Sequence, residues 1–215
     1  MMRVAVLGEG QLAADTCDIV AGLGGWQLEA VVPNHPPPYW DVILARHAAD
    51  RWPGVRLIGS GDWRELEPDT YDIVLSVLYN RIIGRDLIDS CGRILNFHPG
   101  RLPQYRGVRP INWALRNGDR LHGITIHEIE EGIDSGPIVA EAMFSIWPEI
   151  DEVRDVWDRS MAMGRVLMAE TLPRLDQLTG TLQDPAQARV YYSHQSDQLG
   201  DRAGWTRAES DCPPA

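Results

Sequence analysis

The sequence contains no lysine, so all 20 of its Lys and Arg residues are arginines, against 31 aspartates and glutamates. The formal net charge of −11 predicts a surface that repels polyanions unless its arginines cluster, and the sequence has no run of them. We therefore expect no binding to a large nucleic acid. A small anionic ligand held by two or three arginines remains compatible with this composition.

Cysteines and long apolar runs are also scarce. Cys17, Cys91 and Cys212 are odd in number, widely spaced and without a Cys-x-x-Cys pair, which favours reduced thiols over a disulfide framework or a zinc ribbon. No apolar run is long enough to cross a bilayer, so no membrane contact is predicted. Residues 1–8 lack the apolar centre of a signal peptide. A cytoplasmic protein is the expectation.

Alternating strand and helix patterns organise most of the 215 residues. This alternation predicts an α/β fold with a doubly wound, mainly parallel sheet and helices on both faces. Residues 1–180 form the predicted main domain, and residues 181–215 a short, partly disordered C-terminal extension. Strands are predicted at 3–7, 27–32, 55–58, 71–78, 93–97, 124–127, 138–146 and 190–192, and helices at 12–23, 40–52, 87–90, 110–117 and 151–178.

Prolines and glycines mark the interruptions. Asn34–Pro38 and His98–Gly107 are predicted to be loops, because both are rich in residues that break helices. Ser60-Gly61-Asp62 should break the chain before a further short helix. Pro173 should end or kink the last long helix. The tryptophans at 40, 52, 113 and 157 fall on apolar helix faces and are interpreted as core residues.

The segment that carries most chemical information begins with Asn96 and His98 at the end of a predicted strand. Side chains two apart in an extended chain leave it on the same side, and Pro99 favours an extended His98. An amide and an imidazole would then face one point at the carboxyl edge of the sheet, where open α/β sheets bind ligands. Taken alone, Asn96 would more often be a strand-end cap or turn residue, and His98 a structural histidine.

Acyl transfer to an amine suits such a pair. Asn96 can donate an N–H to the developing oxyanion, and a protonated His98 can donate another. Asp134, in the acidic turn 130–136, would orient the imidazole and raise its pKa, and could help to move the proton of the amine. His127 either faces Asp134 or sits on its strand bonded to a neighbour, and the pattern favours neither.

Four motifs in this order resemble the folate-dependent formyltransferases. They are Asn96-x-His98-Pro99, then Leu102-Pro103-x-Tyr105-Arg106-Gly107, then Gly123-Ile124-Thr125-Ile126-His127, and finally Asp134-Ser135-Gly136. The resemblance extends from Arg3 to about Leu178 and implies a Rossmann-like formyltransferase fold. It also implies that Asn96, His98 and Asp134 are the catalytic residues, and that no metal takes part.

The resemblance further implies the co-substrate, N10-formyltetrahydrofolate, and residues that hold it. One set is the loop Asn80, Arg81, Ile82 and Ile83, whose backbone would hold the pterin. The other set is Glu130, Glu131, Gly132 and Ile133, the second wall of that pocket. Gly10, Gln11, Tyr105 and Arg106 are expected near the acceptor, and Arg109 is a further candidate.

Two other interpretations of local motifs are weaker. Gly8-Glu9-Gly10 follows a strand as in dinucleotide-binding folds, but the second strand ends in Val31-Val32-Pro33-Asn34 without the acid that binds ribose. A tight turn is therefore favoured over a hydride-transfer site. His98, His127 and the acidic turn could surround a cation, yet no His-x-x-x-His or Cys-x-x-Cys spacing supports a metal.

The acceptor is expected to be an amino sugar on a nucleotide, because 105–118 and 191–202 resemble the sugar N-formyltransferases. Glycinamide ribonucleotide is an alternative, although Glu9 would oppose its phosphate. Another small-metabolite amine, such as a natural-product intermediate, and hydrolysis of the donor are further alternatives. Methionyl-tRNA is disfavoured by the charge and by the short chain after the last helix. A homodimer is left open.

Overall fold

The computed structural model describes residues 1–36 and 43–202, which form two compact units. The first unit is Met1–Phe97 with Met168–Leu178, and the second is His98–Leu167 with the described part of Thr179–Ala215. The predicted α/β class with a mainly parallel sheet is confirmed. No helix among the described residues is long and apolar enough to span a membrane.

A parallel sheet forms the centre of the first unit. Its strands are β1 (Met2–Gly8), β2 (Trp26–Pro33), β3 (Arg56–Leu57), β4 (Ile73–Val77) and β5 (Arg93–His98). They lie in the order β3-β2-β1-β4-β5, and all neighbouring pairs are parallel. Val4–Leu7 in β1 is fully buried, as expected for a strand covered on both faces. The carboxyl ends of β1, β2, β4 and β5 therefore share one edge.

Helices connect these strands: α1 (Gly10–Gly22), α2 (Ile43–Arg51), α3 (Arg85–Ser90) and a 3-10 helix at Trp63–Glu65. A further 3-10 helix of the first unit, Leu172–Gln177, comes much later in the chain. Gly8 leads from β1 into α1 with a φ of 146°, and a Cβ there would lie 1.8 Å from the carbonyl oxygen of Val77. Only glycine fits this turn. The Asp62 carboxylate caps the first 3-10 helix by accepting from the backbone N–H of Arg64.

The second unit combines two small β-structures with helices. Antiparallel β7 (Leu121–Glu128) and β8 (Ile138–Ser145) form a hairpin, and β6 (Arg106–Gly107) pairs in parallel with β9 (Val190–Tyr191). The helices are α4 (Pro110–Arg116), α5 (Val153–Thr171), whose last residues are grouped with the first unit, and 3-10 turns over Ser193–Arg202. A Cβ at Gly107 would lie 2.1 Å from the Tyr191 carbonyl oxygen, so glycine permits the β6–β9 pairing.

An aromatic stack forms the core of the second unit. Tyr191 packs between Trp113, with ring centroids 4.5 Å apart, and Tyr105, with centroids 5.7 Å apart. Ile111, Ile146 and Val156 are fully buried around them. This core binds β9 to α4 and to the segment that follows His98.

Several predicted boundaries needed correction. The loop predicted at 98–107 is not continuous, because His98 completes β5 and Arg106–Gly107 forms β6. The helix predicted at 151–178 begins at Val153 and gives way after Thr171 to a 3-10 helix containing Pro173. The chain after β9 forms 3-10 turns that its polar sequence did not predict.

Other predictions fall partly outside the described residues. The helix predicted at 40–52 is observed as Ile43–Arg51, whereas Trp40 and Cys212 lie outside the described ranges. Cys17 and Cys91 are free thiols, as predicted. Burial raises the pKa of both thiols, that of Cys91 to about 11, so neither is a reactive thiolate at neutral pH.

Candidate active site

Asp134 is the centre of a cluster in the turn between β7 and β8. Its Oδ2 accepts a hydrogen bond from the backbone N–H of Gly107 at 2.7 Å and lies 3.6 Å from Nδ1 of His98. Its Oδ1 lies 3.4 Å from Nε2 of His127. The residue has a φ of 45°, a left-handed conformation that costs free energy for a side chain other than glycine. The turn is therefore strained where it presents this carboxylate.

His98 is fixed by its own backbone surroundings. It ends β5, and its Nε2 lies 2.6 Å from the carbonyl oxygen of Tyr105, which assigns the proton of the neutral ring to Nε2. A Cβ at Gly100 would lie 2.6 Å from the same Nε2, so this glycine leaves room for the imidazole. Nδ1 consequently faces Asp134 with its lone pair.

Burial and Asp134 act on the pKa of His98 in opposite directions. Burial lowers the pKa of His98 below its ordinary value of 6.5, and the opposing influence of Asp134 does not compensate. Burial alone would raise the pKa of Asp134, but the positive charge of a protonated His98, the contact with His127 and the Gly107 N–H hold it well below its ordinary value. At neutral pH the resting pair is therefore a neutral imidazole beside a carboxylate.

Access to this pair is unequal. The His98 side chain is 6% exposed, whereas that of Asp134 is 17% exposed. A ligand in contact with the cluster would therefore approach the carboxylate more readily than the ring. A proton arriving at Nδ1 would lie between the two side chains and convert them into an ion pair.

His127 fulfils both of the roles that the sequence left open. Its Nδ1 lies 2.8 Å from the carbonyl oxygen of Glu128, and its Nε2 faces Asp134. The ring is almost fully buried and lies edge-on to His98, with centroids 6.3 Å apart. Among the residues that the structure describes, no three His, Cys, Asp or Glu side chains gather as a metal site.

Asn96 lies two residues before His98 in β5, opposite Ser76 of β4. The Ser76 hydroxyl donates to Oδ1 of Asn96 at 2.8 Å. With its oxygen bound to β4, the Asn96 amide keeps its NH2 group as the donor end. Ser76 was not found from the sequence, since a serine within an apolar strand carries no distinctive signal.

The predicted folate loop is held by its backbone. The N–H of Asn80 donates to Oδ1 of the buried Asn34 at 3.0 Å, and the indole N–H of Trp63 donates to the carbonyl oxygen of Ile82 at 2.9 Å. Arg81 donates to the carbonyl oxygens of His35 and Ser60. The Ile82 side chain is 91% exposed. The loop thus presents an apolar side chain to solvent on a fixed backbone.

The second predicted folate segment is equally accessible within its own unit. Glu130, Glu131, Gly132 and Ile133 are all exposed, and they immediately precede Asp134. Ile133 is an exposed large apolar residue, as Ile82 is in the first unit. An exposed isoleucine offers an apolar surface on which a flat ring can pack.

The residues predicted near the acceptor have varied surroundings. Gly10 and Gln11 begin α1, and Gln11 bonds to Asp15 along the helix. Tyr105 is buried, and its hydroxyl donates to Asp119 at 2.6 Å, so its carbonyl oxygen rather than its ring meets His98. Nε and Nη2 of Arg106 both donate to Gln183. Acceptor contacts at these four positions stay predictions.

Residues 61–172, more than half of the chain, match the sequence model of the family described as formyl transferase. The chain belongs to the formyl transferase family. A methionyl-tRNA formyltransferase from Paracoccus denitrificans is 36% identical over 151 residues, which cover 68% of this chain and 48% of that relative. The chain spans about half the length of the curated relatives it matches.

Solved structures of other formyltransferases share the fold. An N-formyltransferase from Helicobacter canadensis, in complex with folinic acid and dTDP-3-aminofucose, superposes with a TM-score of 0.75 at 21% identity, covering 90% of this chain and 72% of that one. Phosphoribosylglycinamide formyltransferase from Bacillus halodurans gives 0.66 at 25% identity, covering 80% and 94%. The fold is therefore common to formyltransferases with different names and acceptors.

Proposed function

We propose that this chain transfers a formyl group from N10-formyltetrahydrofolate to the primary amine of a small acceptor. The observation that carries the proposal is the contact of Asp134 with His98 and with the Gly107 N–H. His98 lies two residues after Asn96 in β5. Membership of the formyl transferase family supports the reaction type. The folate supplies an activated formyl carbon, and the protein supplies donors, a proton acceptor and position.

In this reaction one proton must move from the nitrogen of the attacking amine to the folate nitrogen that releases the formyl group. Asn96 donates its amide N–H to the formyl oxygen as negative charge develops on attack by the amine. The attacking amine loses its proton to the Asp134 carboxylate, which is the more accessible group. His98, neutral at rest, then takes this proton at Nδ1, and Asp134 stabilises the resulting imidazolium. Because burial lowers its pKa, the imidazolium of His98 readily gives this proton to the departing folate nitrogen. The products are a formamide and tetrahydrofolate.

The donor is supported by the exposed loop 80–83 of the first unit. The loop 80–83 has its backbone fixed by Asn34 and Trp63 and leaves Ile82 open to a ring. The N-formyltransferase of Helicobacter canadensis was solved with folinic acid, itself a formylated folate. A pterin on a rigid backbone loop would be selected by hydrogen bonds rather than by charge.

For the acceptor we propose an amino sugar linked to a nucleotide. The net charge of −11 opposes binding of tRNA, whereas the dTDP-3-aminofucose bound by the Helicobacter canadensis enzyme carries only a pyrophosphate. Glu9 accepts from Asn34 at the beginning of α1, where it opposes a phosphate and disfavours glycinamide ribonucleotide. Methionyl-tRNA and other small amines are the alternatives to test.

The test is turnover of N10-formyltetrahydrofolate with dTDP-amino sugars, with glycinamide ribonucleotide, with methionyl-tRNA, or with no amine. We expect loss of the donor only when an amino sugar is present, with a formamide product found by mass spectrometry. His98→Asn should lower kcat by roughly 10² to 10⁴, the usual contribution of a positioned acid–base group. Binding of the folate, followed by fluorescence quenching, should be unchanged because its loop does not depend on His98.

The exposed His194 provides the control, because His194→Asn removes an imidazole outside the cluster and should keep full activity. Formate produced without any amine would indicate a hydrolase. If methionyl-tRNA were the one amine that supported turnover, the acceptor would be a tRNA and not an amino sugar. Full activity of His98→Asn would refute the mechanism.

A further inference from the structure

A segment beyond the family match crosses the turn that carries Asp134. This strap, residues 181–191, begins with Thr181, which exchanges two backbone hydrogen bonds of 2.8 Å with Ile138 at the start of β8. It ends with β9, whose Tyr191 pairs with Gly107 of β6. Both anchors lie in the second unit, and residues 61–172 of the family match include none of the strap.

Gln183 is the strap residue that contacts the turn. Its amide NH2 donates to the carbonyl oxygen of Asp134 at 2.9 Å and to that of Gly136 at 2.7 Å. Its Oε1 accepts from Nε and Nη2 of Arg106 at 2.9 and 2.7 Å. Gln183 is half-buried, whereas Leu182 and Asp184 on either side are exposed. All polar groups of this amide are therefore used, and its orientation is set from both ends.

These bonds close a ring of contacts around the reactive carboxylate. The Arg106 guanidinium orients Gln183, Gln183 holds the backbone of Asp134, and the Gly107 N–H binds the Asp134 carboxylate. Asp134 adopts a positive φ, which costs an aspartate less than most residues but which surrounding contacts must still hold. Bonds to the carbonyl oxygens on both sides of Ser135 supply such contacts.

We propose that Gln183 is a positioning residue for formyl transfer, which holds the strained Asp134 turn so that its carboxylate meets His98. This inference rests on the proposed function for its catalytic consequence. The structural part, that Gln183 sets the distance between Asp134 and His98, is testable without any turnover. Gln183 itself touches neither His98 nor the reacting groups and acts through Asp134.

Two substitutions of Gln183 distinguish the hydrogen bonds made by its NH2 group from those made by its oxygen. Gln183→Met keeps the length of the side chain but removes all four hydrogen bonds. Gln183→Glu keeps the acceptor for Arg106 and loses both donors to the turn. Gln187→Met and Gln187→Glu are matched controls in the same strap, because Gln187 is exposed and bonds only to Gln104 and Asp184 among the contacts described.

The first readout is an NMR titration of the His98 imidazole in the full chain without substrates, assigned by its loss in His98→Asn. Since Asp134 raises the pKa of His98 against the effect of burial, Gln183→Met should lower that pKa further, whereas Gln187→Met should not. The second readout is kinetic. We expect kcat of both Gln183 variants to fall about 10- to 100-fold, as for other small misplacements of catalytic groups, with KM for the folate nearly unchanged.

A folded Gln183→Met with wild-type kcat and an unchanged His98 titration would overturn the inference. Wild-type kcat in Gln183→Glu would also overturn it, because the Arg106 contact alone would then suffice. If Gln183→Met does not fold, Gln183→Glu provides the kinetic readout, and loss of folding in both would show a merely structural role. If the wild type transfers no formyl group, the proposed function fails, while the titration still tests the positioning of Asp134.

Discussion

At the scale of single residues, the site depends on neighbours that orient the reactive groups. Asn96→Asp removes the donor and places a negative charge near the developing oxyanion, so kcat should fall by roughly 10² to 10³, as on loss of an oxyanion donor. Ser76→Ala removes only the bond that orients the Asn96 amide and should cost less, about 3- to 10-fold in kcat. Steady-state kinetics with a saturating amine would measure both effects.

The hydroxyl of Ser90 provides a control for Ser76, because it bonds to Leu87 at the end of α3 rather than to Asn96. Ser90→Ala should leave kcat unchanged. If Ser76→Ala were as active as the wild type while Asn96→Asp was inactive, the amide would need no help from β4.

The sequence pointed to the proposed catalytic residues but not to the groups that hold them. Asn96, His98 and Asp134 carry recognisable side chains at informative spacings, and the structure brings His98 and Asp134 together. The carbonyl oxygen of Tyr105 and the N–H of Gly107 could not be predicted, because every residue has these groups and only the fold directs them. The sequence predicted that Asp134 raises the pKa of His98, but a motif does not show the burial that outweighs this effect.

At the scale of elements, the 3-10 helix Trp63–Glu65 supports the loop that is proposed to bind folate. Trp63→Phe removes the hydrogen bond to the carbonyl oxygen of Ile82 but keeps an aromatic ring in the core. KM for the folate should rise about 3- to 10-fold, the effect of losing one oriented hydrogen bond, while kcat stays near its wild-type value. Initial rates over a range of folate concentrations would measure this change.

Trp52 is the matched control because it is also buried and its indole donates to Asp18 of α1. Trp52→Phe should lower stability without changing KM. Equal rises in KM for both variants would indicate a general loosening of the first unit rather than support of the loop.

Elements with a strong pattern were predicted within a few residues. The buried strands of the first unit have continuous apolar runs, and Pro173 marks the end of α5 as expected. The two-residue strands β6 and β9 differ in this respect. They are too short to show a period of two, and their pairing joins residues far apart in sequence. The sequence predicted a strand at 190–192, which corresponds to β9, but it placed the β6 residues Arg106 and Gly107 in a loop.

At the scale of the whole molecule, acid should destabilise the fold before it protonates most carboxylates. His122 is buried, and burial lowers its pKa from 6.5 to about 4. Between these values the unfolded chain binds more protons than the folded one, so the free energy of unfolding falls as pH falls, by up to about 1.4 kcal/mol per pH unit. His98 contributes in the same direction, because its pKa is also lowered.

Urea unfolding at pH 7 and pH 5 would measure this loss. His122→Phe keeps a ring against Tyr105 and Phe144 but cannot bind a proton, so the difference in unfolding free energy between the two pH values should shrink. The exposed His194 is the control, since His194→Gln should leave the difference unchanged. If His122→Phe lost as much unfolding free energy between pH 7 and pH 5 as the wild type, His122 would not be the source of the pH dependence.

The parallel pairing of β6 with β9 has a practical consequence for engineering. A designer who exchanges catalytic modules between formyltransferases would naturally cut at residue 172, where the family match ends. Such a graft would carry Asp134 but leave behind the partner strand of Arg106–Gly107. The smallest exchangeable module therefore extends to Tyr191. A chimera joined upstream of that residue would inherit Asp134 in a turn that no strap from the same parent holds in place.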